Sequence, residues 1–334
     1  MKALVYTGPE ELAFQPVPDP VTEEGDLLIR VDSVGICGSD MHAYLGHDER
    51  RPAPLILGHE GAGTVVGGPQ DGQRVTINPL VTDPESAASR SGRENLCPSR
   101  QIISMPPREG AFAQFVSMPE RNLVTVPEHI TLEQAALAEP IAVSWHAVKL
   151  GLKAMHPANE HRAHVIGGGA IGVAAALSLR AMGVEQVTLA EPNAARATYL
   201  ADTCGIHIEN EPSGDIPLVI DAVGFGGTRA AASAMVSPGG VIVHIGLGCA
   251  EGGLDIRRVT LQEITFIGAY TYTAQDFRDT CAAMFDGRLG ALDWVESRPL
   301  DEGARAFEDI RQGRVAAPKI VLKPHATNHT SREE

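Results

Sequence analysis

The chain has 334 residues, of which 43% are hydrophobic, and its 42 acidic and 27 basic side chains give a formal charge of -15 at pH 7. This length and apolar content predict two domains, each with its own core. The acidic excess argues against nucleic acid and anionic membranes as partners, and it favours a small neutral substrate.

The cysteines and the first residues of the chain bear on the cellular compartment of the protein. Five cysteines, an odd number, are widely scattered, which argues against a disulfide framework. No run reaches about 18 apolar residues, the length needed to span a membrane. Met1–Val5 opens in a strand-like pattern rather than as a signal peptide. We therefore predict a cytoplasmic protein.

Short β-type runs separated by glycine and proline fill residues 1–127. They predict a β-rich domain of barrel type. Its strands are expected at Ala3–Tyr6, Asp26–Val34, Gly63–Val66, Gln73–Ile77, Ala111–Ser117 and Leu123–Val126.

Two polar segments in this domain contain metal-ligand chemistry. Val34–His42 holds a thiol, a hydroxyl, a carboxylate and an imidazole, and Cys37 is its candidate zinc ligand. His59 and Glu60, flanked by glycines, are candidates for the same ion. A buried structural cysteine and an unrelated surface His-Glu pair are the alternative interpretation.

A capping box at Thr131–Gln134 predicts the start of a helix, and Pro140 is expected to end it. Glu139 then lies at a helix break among apolar neighbours. Its charge is either exposed by the break or paired with a partner such as a metal.

A strand over Ala163–Ile166 leads into G-x-G-x-x-G and a helix, the pattern typical of dinucleotide binding. The predicted contacts in this segment are Gly167, Gly169, Ala170, Ile171 and Gly172. A second strand, Gln186–Ala190, ends at Glu191, whose carboxylate favours NAD over NADP by bonding the ribose hydroxyls. Arg196 is a candidate for holding a 2′-phosphate, but it lies five residues beyond the acid.

Strands and helices continue to alternate, which predicts a parallel, doubly wound sheet. Val223 and Gly246, at the ends of the next two strands, complete the predicted cofactor contacts. The elements are strands Pro217–Ala222, Gly239–Gly246 and Ile264–Tyr270, with a helix at Gly226–Val236. Helices Ala274–Phe285 and Asp301–Arg311 and strands Trp294–Arg298 and Lys319–Lys323 follow, and the tail from His325 is expected to be mobile.

The chain as a whole resembles the zinc-dependent medium-chain alcohol dehydrogenases, in particular their polyol (sorbitol-type) and 2,3-butanediol branches. Four motifs in the family's order carry the resemblance: G-I-C-G-S-D at Gly35–Asp40, G-H-E-x-x-G at Gly58–Gly63, E-P at Glu139-Pro140 and G-G-G-x-I-G at Gly167–Gly172. The resemblance implies an α/β protein with a GroES-like barrel domain at 1–141, a Rossmann domain at 142–271 and a return to the first domain at 272–334.

The resemblance also assigns roles. Cys37, His59 and Glu60 would hold one catalytic zinc ion, and Glu139 would be a further carboxylate that coordinates directly or through water. Asp40 would orient His59. Ser39 would bond the substrate hydroxyl and His42 would end a proton relay, although a solvent-facing His42 is the simpler interpretation.

In the mechanism that follows, zinc acts as a Lewis acid on the alcohol and hydride passes to NAD in a cleft between the domains. Val143 would form the apolar wall behind the nicotinamide ring. Family members form oligomers through the cofactor-domain sheet, which implies a homodimer or homotetramer.

Two departures from the family are visible. The four cysteines of a structural zinc site would fall on Asp83, Ser86, Ser89 and Cys97, so we predict that the loop is retained without that zinc. Thr271 stands where sorbitol-type enzymes have an arginine that meets the polyol. The pair Arg50-Arg51 near the zinc motifs is a candidate for binding an acid or phosphate group, but an exposed loop is the simpler interpretation.

Three classes of function are compatible with these features. The first is an NAD-dependent, zinc-dependent dehydrogenase of polyols or other secondary alcohols, with a butanediol or a sugar acid as the alternative substrate. The second is a zinc-free quinone-type reductase of the same fold. The third is a non-catalytic NAD-binding protein, which intact metal and cofactor motifs disfavour.

Overall fold

The strands follow the predicted pattern over most of the chain. The computed structural model describes residues 1–326, so the rest of the predicted mobile tail lies outside the described residues. In chain order the strands are β1 (Lys2–Gly8), β2 (Glu11–Pro16), β3 (Asp26–Gly35), β4 (Leu55–Ile56), β5 (Glu60–Val66), β6 (Arg74–Ile77), β7 (Leu80–Val81), β8 (Gln101–Ile102), β9 (Phe115–Pro119), β10 (Leu123–Thr125), β11 (Arg162–Ile166), β12 (Gln186–Ala190), β13 (His207–Ile208), β14 (Ile216–Asp221), β15 (Val236–His244), β16 (Thr265–Gly268), β17 (Val295–Pro299) and β18 (Lys319–Lys323).

The helices fall mainly in the second half of the chain. They are α1 (Gly38–Tyr44), α2 (Ala87–Arg90), α3 (Leu132–Ala135), α4 (Ala138–Ala154), α5 (Ala170–Ala181), α6 (Ala194–Cys204), α7 (Gly226–Met235), α8 (Ile256–Leu261), α9 (Ala274–Phe285) and α10 (Gly303–Arg311). Short 3-10 turns lie at Glu94–Leu96, Glu120–Asn122 and Leu300–Glu302. Among residues 1–326, none of the helices has the length and apolar content needed to cross a membrane.

The chain divides into two compact units. The first contains residues 1–139, 295–315 and 319–326, and the second contains residues 140–294 and 316–318. The return to the first unit therefore comes later than the predicted residue 272. The reason is α9, whose buried Asp276 forms 2.7 Å ion pairs with His146 and Lys149 of α4 and so stays with the second unit.

Antiparallel sheets form the first unit. Its largest sheet has the order β10-β6-β5-β3-β18-β17, with β9 also paired to β3, and a smaller sheet has the order β2-β1-β4. Only β17 and β18 run parallel in the larger sheet. Side chains alternate across β3, since Ile29 and Val31 are buried and Arg30 between them is exposed. One face of this sheet therefore forms the core, as the β-type pattern predicts.

A six-stranded parallel sheet forms the second unit. Its order is β13-β12-β11-β14-β15-β16. β11, β12 and β13 follow one another toward one edge of the sheet, and β14, β15 and β16 follow one another toward the other edge. Strands of such sheets are covered on both faces, and the central run Leu218–Ile220 of β14 is fully buried. This is the doubly wound arrangement that the alternating elements predict, and ligands bind beyond the carboxyl ends of its strands.

The predicted helix end at Pro140 is wrong. The capping box at Thr131 does open a helix, but that helix is the short α3. Pro140 lies in the first turn of the 17-residue α4. Because the first N–H groups of a helix have no partner within it, proline is tolerated there. Glu139 therefore stands at the beginning of a long helix.

His164 of β11 is fully buried, and it makes the fold of the second unit sensitive to acid. Burial lowers the pKa of His164 to about 4, whereas a histidine in the unfolded chain titrates near 6.5. Since the unfolded state binds the proton first, the free energy of unfolding falls as the pH drops from about 6.5 to 4, by roughly 3 kcal/mol.

We expect His164→Gln to flatten this part of the stability profile, measured as urea unfolding at several pH values. The exposed His207→Gln provides the control and should keep the wild-type slope. Equal slopes for wild type and His164→Gln would contradict the assignment.

Candidate functional site

Adjacent strands of the first unit bring the metal-ligand candidates together. β3 ends at Gly35, opposite Glu60 at the start of β5, and β18 pairs with the other side of β3. Extending both antiparallel registers by one or two residues places Cys37, His59 and Lys319 at the same end of the sheet. The sheet register thus explains why ligands distant in sequence meet.

Cys37, His59 and Glu60 form a cluster of metal-binding atoms. One donor atom from each lies within 4.8 Å of the others, and His59 and Glu60 are buried. Thiolate, imidazole and carboxylate are ordinary zinc ligands. The carboxylate needs the space left by Gly35, because a Cβ there would lie 2.0 Å from Glu60 Oε2. These residues therefore fit a zinc ion.

The imidazole of His59 is oriented through its Nδ1. Ser104 Oγ lies 3.2 Å and Asp40 Oδ1 3.4 Å from this nitrogen. Nε2 lies 3.5 Å from Ser39 Oγ. Burial by itself would lower the pKa of His59, but the charges of Asp40 and Cys37 outweigh it and raise that pKa well above its usual value. Fixing Nδ1 leaves Nε2 as the nitrogen available to a metal.

Asp40 is fully buried and joins the two predicted motifs. Its carboxylate accepts hydrogen bonds from the backbone N–H groups of Cys37 (2.9 Å) and Gly58 (3.2 Å), besides facing His59. Burial would raise the pKa of Asp40, but its contact with His59 and the charge of Arg51 lower it overall. The geometry places Asp40 where the predicted orienting carboxylate is needed.

The interpretation of Arg50-Arg51 as an exposed pair is correct for Arg50 and wrong for Arg51. Arg51 is buried, forms an ion pair with Asp48, and donates to the carbonyl oxygen of Ser104 at 3.0 Å. It thereby fixes Ser104, which has a left-handed backbone (φ 72°) and touches His59. Neither Arg51 nor Ser104 belongs to a motif, so sequence reasoning missed both.

Lys319, also missed, lies beside Glu60. Its Nζ is 2.7 Å from Glu60 Oε1 and 2.6 Å from Oε2, and it donates to the carbonyl oxygen of Ile36 at 2.8 Å. Burial would lower the pKa of Lys319, but the negative charges of Glu60, Cys37 and Glu139 raise it overall. The cluster thus contains its own permanent cation.

The other predicted catalytic residues occupy different surroundings. Ser39 is half-buried beside His59, and Glu139 is buried where its charge acts on Lys319. His42 lies on the exposed side of α1. The contact with His59 therefore places Ser39 at the cluster. Among residues 1–326, Glu139 lies outside the set of donor atoms within 4.8 Å of one another, and it acts on the cluster through its charge. The relay role of His42 stays a prediction.

The loop at residues 83–97 is folded around hydroxyl groups. Ser86 Oγ donates to Ser89 Oγ at 2.9 Å, and Ser89 N donates to Ser86 Oγ at 3.1 Å. Cys97 Sγ lies 3.3 Å from Ser99 Oγ. Hydrogen bonds from Ser86 and Ser99 lower the pKa of the Cys97 thiol to about 7. Hydroxyl hydrogen bonds thus connect the positions on which the resemblance placed the ligands of a structural zinc.

The glycine-rich segment of the second unit has the geometry of a dinucleotide loop. Gly167 has φ 102°, and a Cβ on Gly172 would lie 1.7 Å from the carbonyl oxygen of Gly167. Around Gly169 a Cβ would meet nothing within 4 Å, so the helix start there is open to a ligand. Ala170 and Ile171 form the first turn of α5. These residues fit a pyrophosphate group.

Glu191 lies at the carboxyl end of β12, next to this loop. Its Oε2 accepts from Gly168 N at 3.1 Å and its Oε1 from Asn193 N at 2.8 Å. Arg196 lies half-buried in the first turn of α6, where its N–H is capped by Asn193. One backbone N–H of the glycine loop and one just before α6 therefore hold the carboxylate of Glu191 in place.

The remaining predicted contacts also belong to the second unit. Val143 is half-buried in α4, and Val223 packs on the glycine loop, where a Cβ on Gly167 would lie 2.3 Å from Val223 Cγ2. Gly246 follows β15 and packs on Val223. Thr271 has φ 46°, and within residues 1–326 its buried hydroxyl has no hydrogen-bond partner.

Comparison with known proteins relates this arrangement to enzymes. Residues 23–128 match the family model of the alcohol dehydrogenase GroES-like domain. The chain is 30% identical to L-galactonate-5-dehydrogenase of Escherichia coli (strain K12), covering 87% of this chain and 89% of that protein. It is 29% identical to sorbitol dehydrogenase of Macaca fascicularis, with 96% and 95% covered.

A solved structure agrees with the architecture. An alcohol dehydrogenase of Escherichia coli CFT073, complexed with the cofactor NADH, superposes with a TM-score of 0.86 at 22% identity, over 97% of this chain and 99% of that one. This similarity establishes the fold of both units.

Proposed function

Because the chain belongs to the zinc-dependent medium-chain alcohol dehydrogenase family, we propose that it transfers hydride from a polyol or other secondary alcohol to NAD and releases the ketone. The observation that carries the proposal is the buried cluster of Cys37, His59 and Glu60. A dinucleotide loop in the second unit of the same chain supports it.

Cys37, His59 and Glu60 would hold the zinc ion, with Glu139 as a further carboxylate. When bound, zinc supplies Lewis acidity, which lets an alcohol lose its proton near neutral pH. The hydroxyl of Ser39 lies 3.5 Å from His59 Nε2, and we assign to it the role of accepting that proton and passing its own proton on. Asp40 and Ser104 keep the ring of His59 in one orientation. We assign the outer end of the relay to His42.

One zinc ion per chain is part of the proposal. The loop at 83–97 offers a single thiol with serine hydroxyls, a poor ligand set for zinc. The hydrogen bonds among Ser86, Ser89 and Asp83 support a role for these groups in folding the loop instead.

NAD rather than NADP is the proposed acceptor, because Glu191 would repel a 2′-phosphate. We expect Glu191→Ala to weaken NAD binding about tenfold while NADP binding improves. Fluorescence titration with NADH and NADPH measures both. Glu185→Ala is the control, because Glu185 is an exposed acid immediately before the first residue of β12. This variant should change neither NAD nor NADP binding. An unchanged preference in Glu191→Ala would show that this acid does not select the cofactor.

A substrate panel tests the proposal directly. NAD-linked oxidation would be measured with hexitols, pentitols, butanediols and sugar acids, with and without a chelator. We expect chelator-sensitive oxidation of secondary alcohols, and polyols are the first candidates. The relative acting on a galactonate makes sugar acids the second candidate. Chelator-resistant reduction of enones without alcohol oxidation would instead indicate a quinone-type reductase.

We also propose a homodimer or homotetramer. β16 is an edge strand of the six-stranded sheet, and three side chains between β15 and β16 along the chain, Leu247, Ile256 and Leu261, are 75%, 63% and 70% exposed. Unpaired edges and exposed apolar groups favour association. We expect light scattering to give at least twice the chain mass, and Ile256→Glu with Leu261→Glu to reduce it. A monomeric wild type would refute this.

A cytoplasmic location completes the proposal. All five cysteines are free thiols, as is usual in a reducing compartment.

A further inference from the structure

Two loops at the carboxyl ends of neighbouring strands are joined by a buried arginine. Loop A (residues 222–226) follows β14, and loop B (residues 245–253) follows β15. Arg229 of α7, 7% exposed, points back at both. Its Nη1 donates to the carbonyl oxygens of Gly224 in loop A and Cys249 in loop B, each at 3.0 Å.

The same guanidinium binds loop B at further points. Nε donates to the carbonyl oxygen of Gly252 at 2.6 Å, and Nη2 donates to the carbonyl oxygen of Glu251 and to Cys249 Sγ, the latter at 3.3 Å. One side chain thus satisfies four backbone carbonyls in two loops. No carboxylate is among these partners, so the guanidinium donates its hydrogen bonds mainly to backbone carbonyls rather than forming an ion pair.

Backbone packs directly on backbone where the loops meet. A Cβ on Gly246 would lie 2.1 Å from the carbonyl carbon of Val223, and a Cβ on Gly253 would lie 1.9 Å from the carbonyl oxygen of Gly226. The backbone N–H of Cys249 also donates to the carbonyl oxygen of Gly224 at 2.9 Å. The shape of loop B therefore depends on its contact with loop A.

This pair of loops is continuous with the dinucleotide loop. Val223 packs on Gly167 on one side and on Gly246 on the other. In a doubly wound sheet the ligand lies beyond these strand ends. A shift of loop B would therefore change the surface offered to the dinucleotide.

We propose that Arg229 is a positioning residue for the nicotinamide dinucleotide, because it holds loop B in the shape that binds the cofactor. The inference rests on the dinucleotide binding proposed above. Arg229 itself touches the loops rather than the reacting atoms.

Arg229→Lys tests the inference, since lysine keeps the charge but its one nitrogen, with three N–H donors, cannot satisfy the four carbonyls that three guanidinium nitrogens hold. We expect the Kd for NADH, measured by fluorescence without alcohol, to rise at least about tenfold while kcat at saturating NAD stays within about threefold. Arg258→Lys is the matched control. Arg258 also donates to two backbone carbonyls, of Ser233 and Val236, but away from these loops. The Arg258→Lys variant should lower Tm without changing the Kd for NADH.

A glycine pair keeps the test decisive if Arg229→Lys fails to fold. Gly252 and Gly253 both have left-handed backbones, with φ 79° and 90°, so alanine strains both. Only Gly253→Ala inserts a Cβ between the loops, because nothing lies within 4 Å of a Cβ at Gly252. We expect Gly253→Ala alone to weaken NADH binding.

Equal Kd values for Gly252→Ala and Gly253→Ala, or an unchanged Kd in a folded Arg229→Lys, would overturn the inference. A wild-type protein that binds no NADH would instead overturn the proposed function. The two failures are therefore distinguishable.

Discussion

Cys37→Ala is expected to lose both the zinc ion and alcohol oxidation. Cys37 provides the only thiol of the cluster, and removing it leaves the imidazole of His59 and the carboxylate of Glu60, which Lys319 already engages. Without the Lewis acid, the alcohol does not ionise near neutral pH, so turnover should fall by at least about a thousandfold. Metal analysis and NAD reduction measure the two losses.

Cys97→Ala is the matched control for this variant. Its thiol lies in the loop where family members hold a second zinc, and we expect one zinc ion per chain and full turnover in both this variant and the wild type. Two zinc ions in the wild type would contradict the proposed single site. Full turnover in Cys37→Ala would remove the proposed mechanism.

The sequence was sufficient to predict those parts of the fold that repeat a simple pattern. α9 and β12 have the predicted bounds, because apolar periodicity and turn residues act locally. α1 was missed, since its seven residues are too short to show a helical period and it begins inside a motif that we interpreted as chemistry. Pro140 was misplaced because proline marks the first turn of a helix as readily as its end.

The candidate site was predictable only where its residues lie in motifs. Glycines flank Cys37 and His59 in the sequence, and they indicate positions where other groups pack closely against the backbone. Lys319, Arg51 and Ser104 carry no such signal. Lys319 reaches the cluster through the pairing of β18 with β3, and Arg51 and Ser104 reach it through a contact between residues 53 positions apart. Pairing between distant segments is a property of the folded sheet, which local pattern does not determine.

Lys319→Met is expected to destabilise the first unit strongly. It would leave the carboxylate of Glu60 buried without its cation, and removing one partner of a buried ion pair typically costs about 3–5 kcal/mol. Denaturant unfolding of the metal-free protein measures this loss. Metal-free conditions matter, because zinc would itself neutralise part of the charge on Glu60.

Lys323→Met provides the control on the same strand. Lys323 pairs with Asp32 at 3.1 Å and Glu133 at 3.2 Å, but these side chains are partly exposed, so about 0–1 kcal/mol is expected. Adding Glu60→Gln to Lys319→Met should recover part of the loss, since a neutral amide is cheaper to bury than an unpaired charge. If the two lysine variants unfold alike, the ion pair between Lys319 and Glu60 does not organise the cluster.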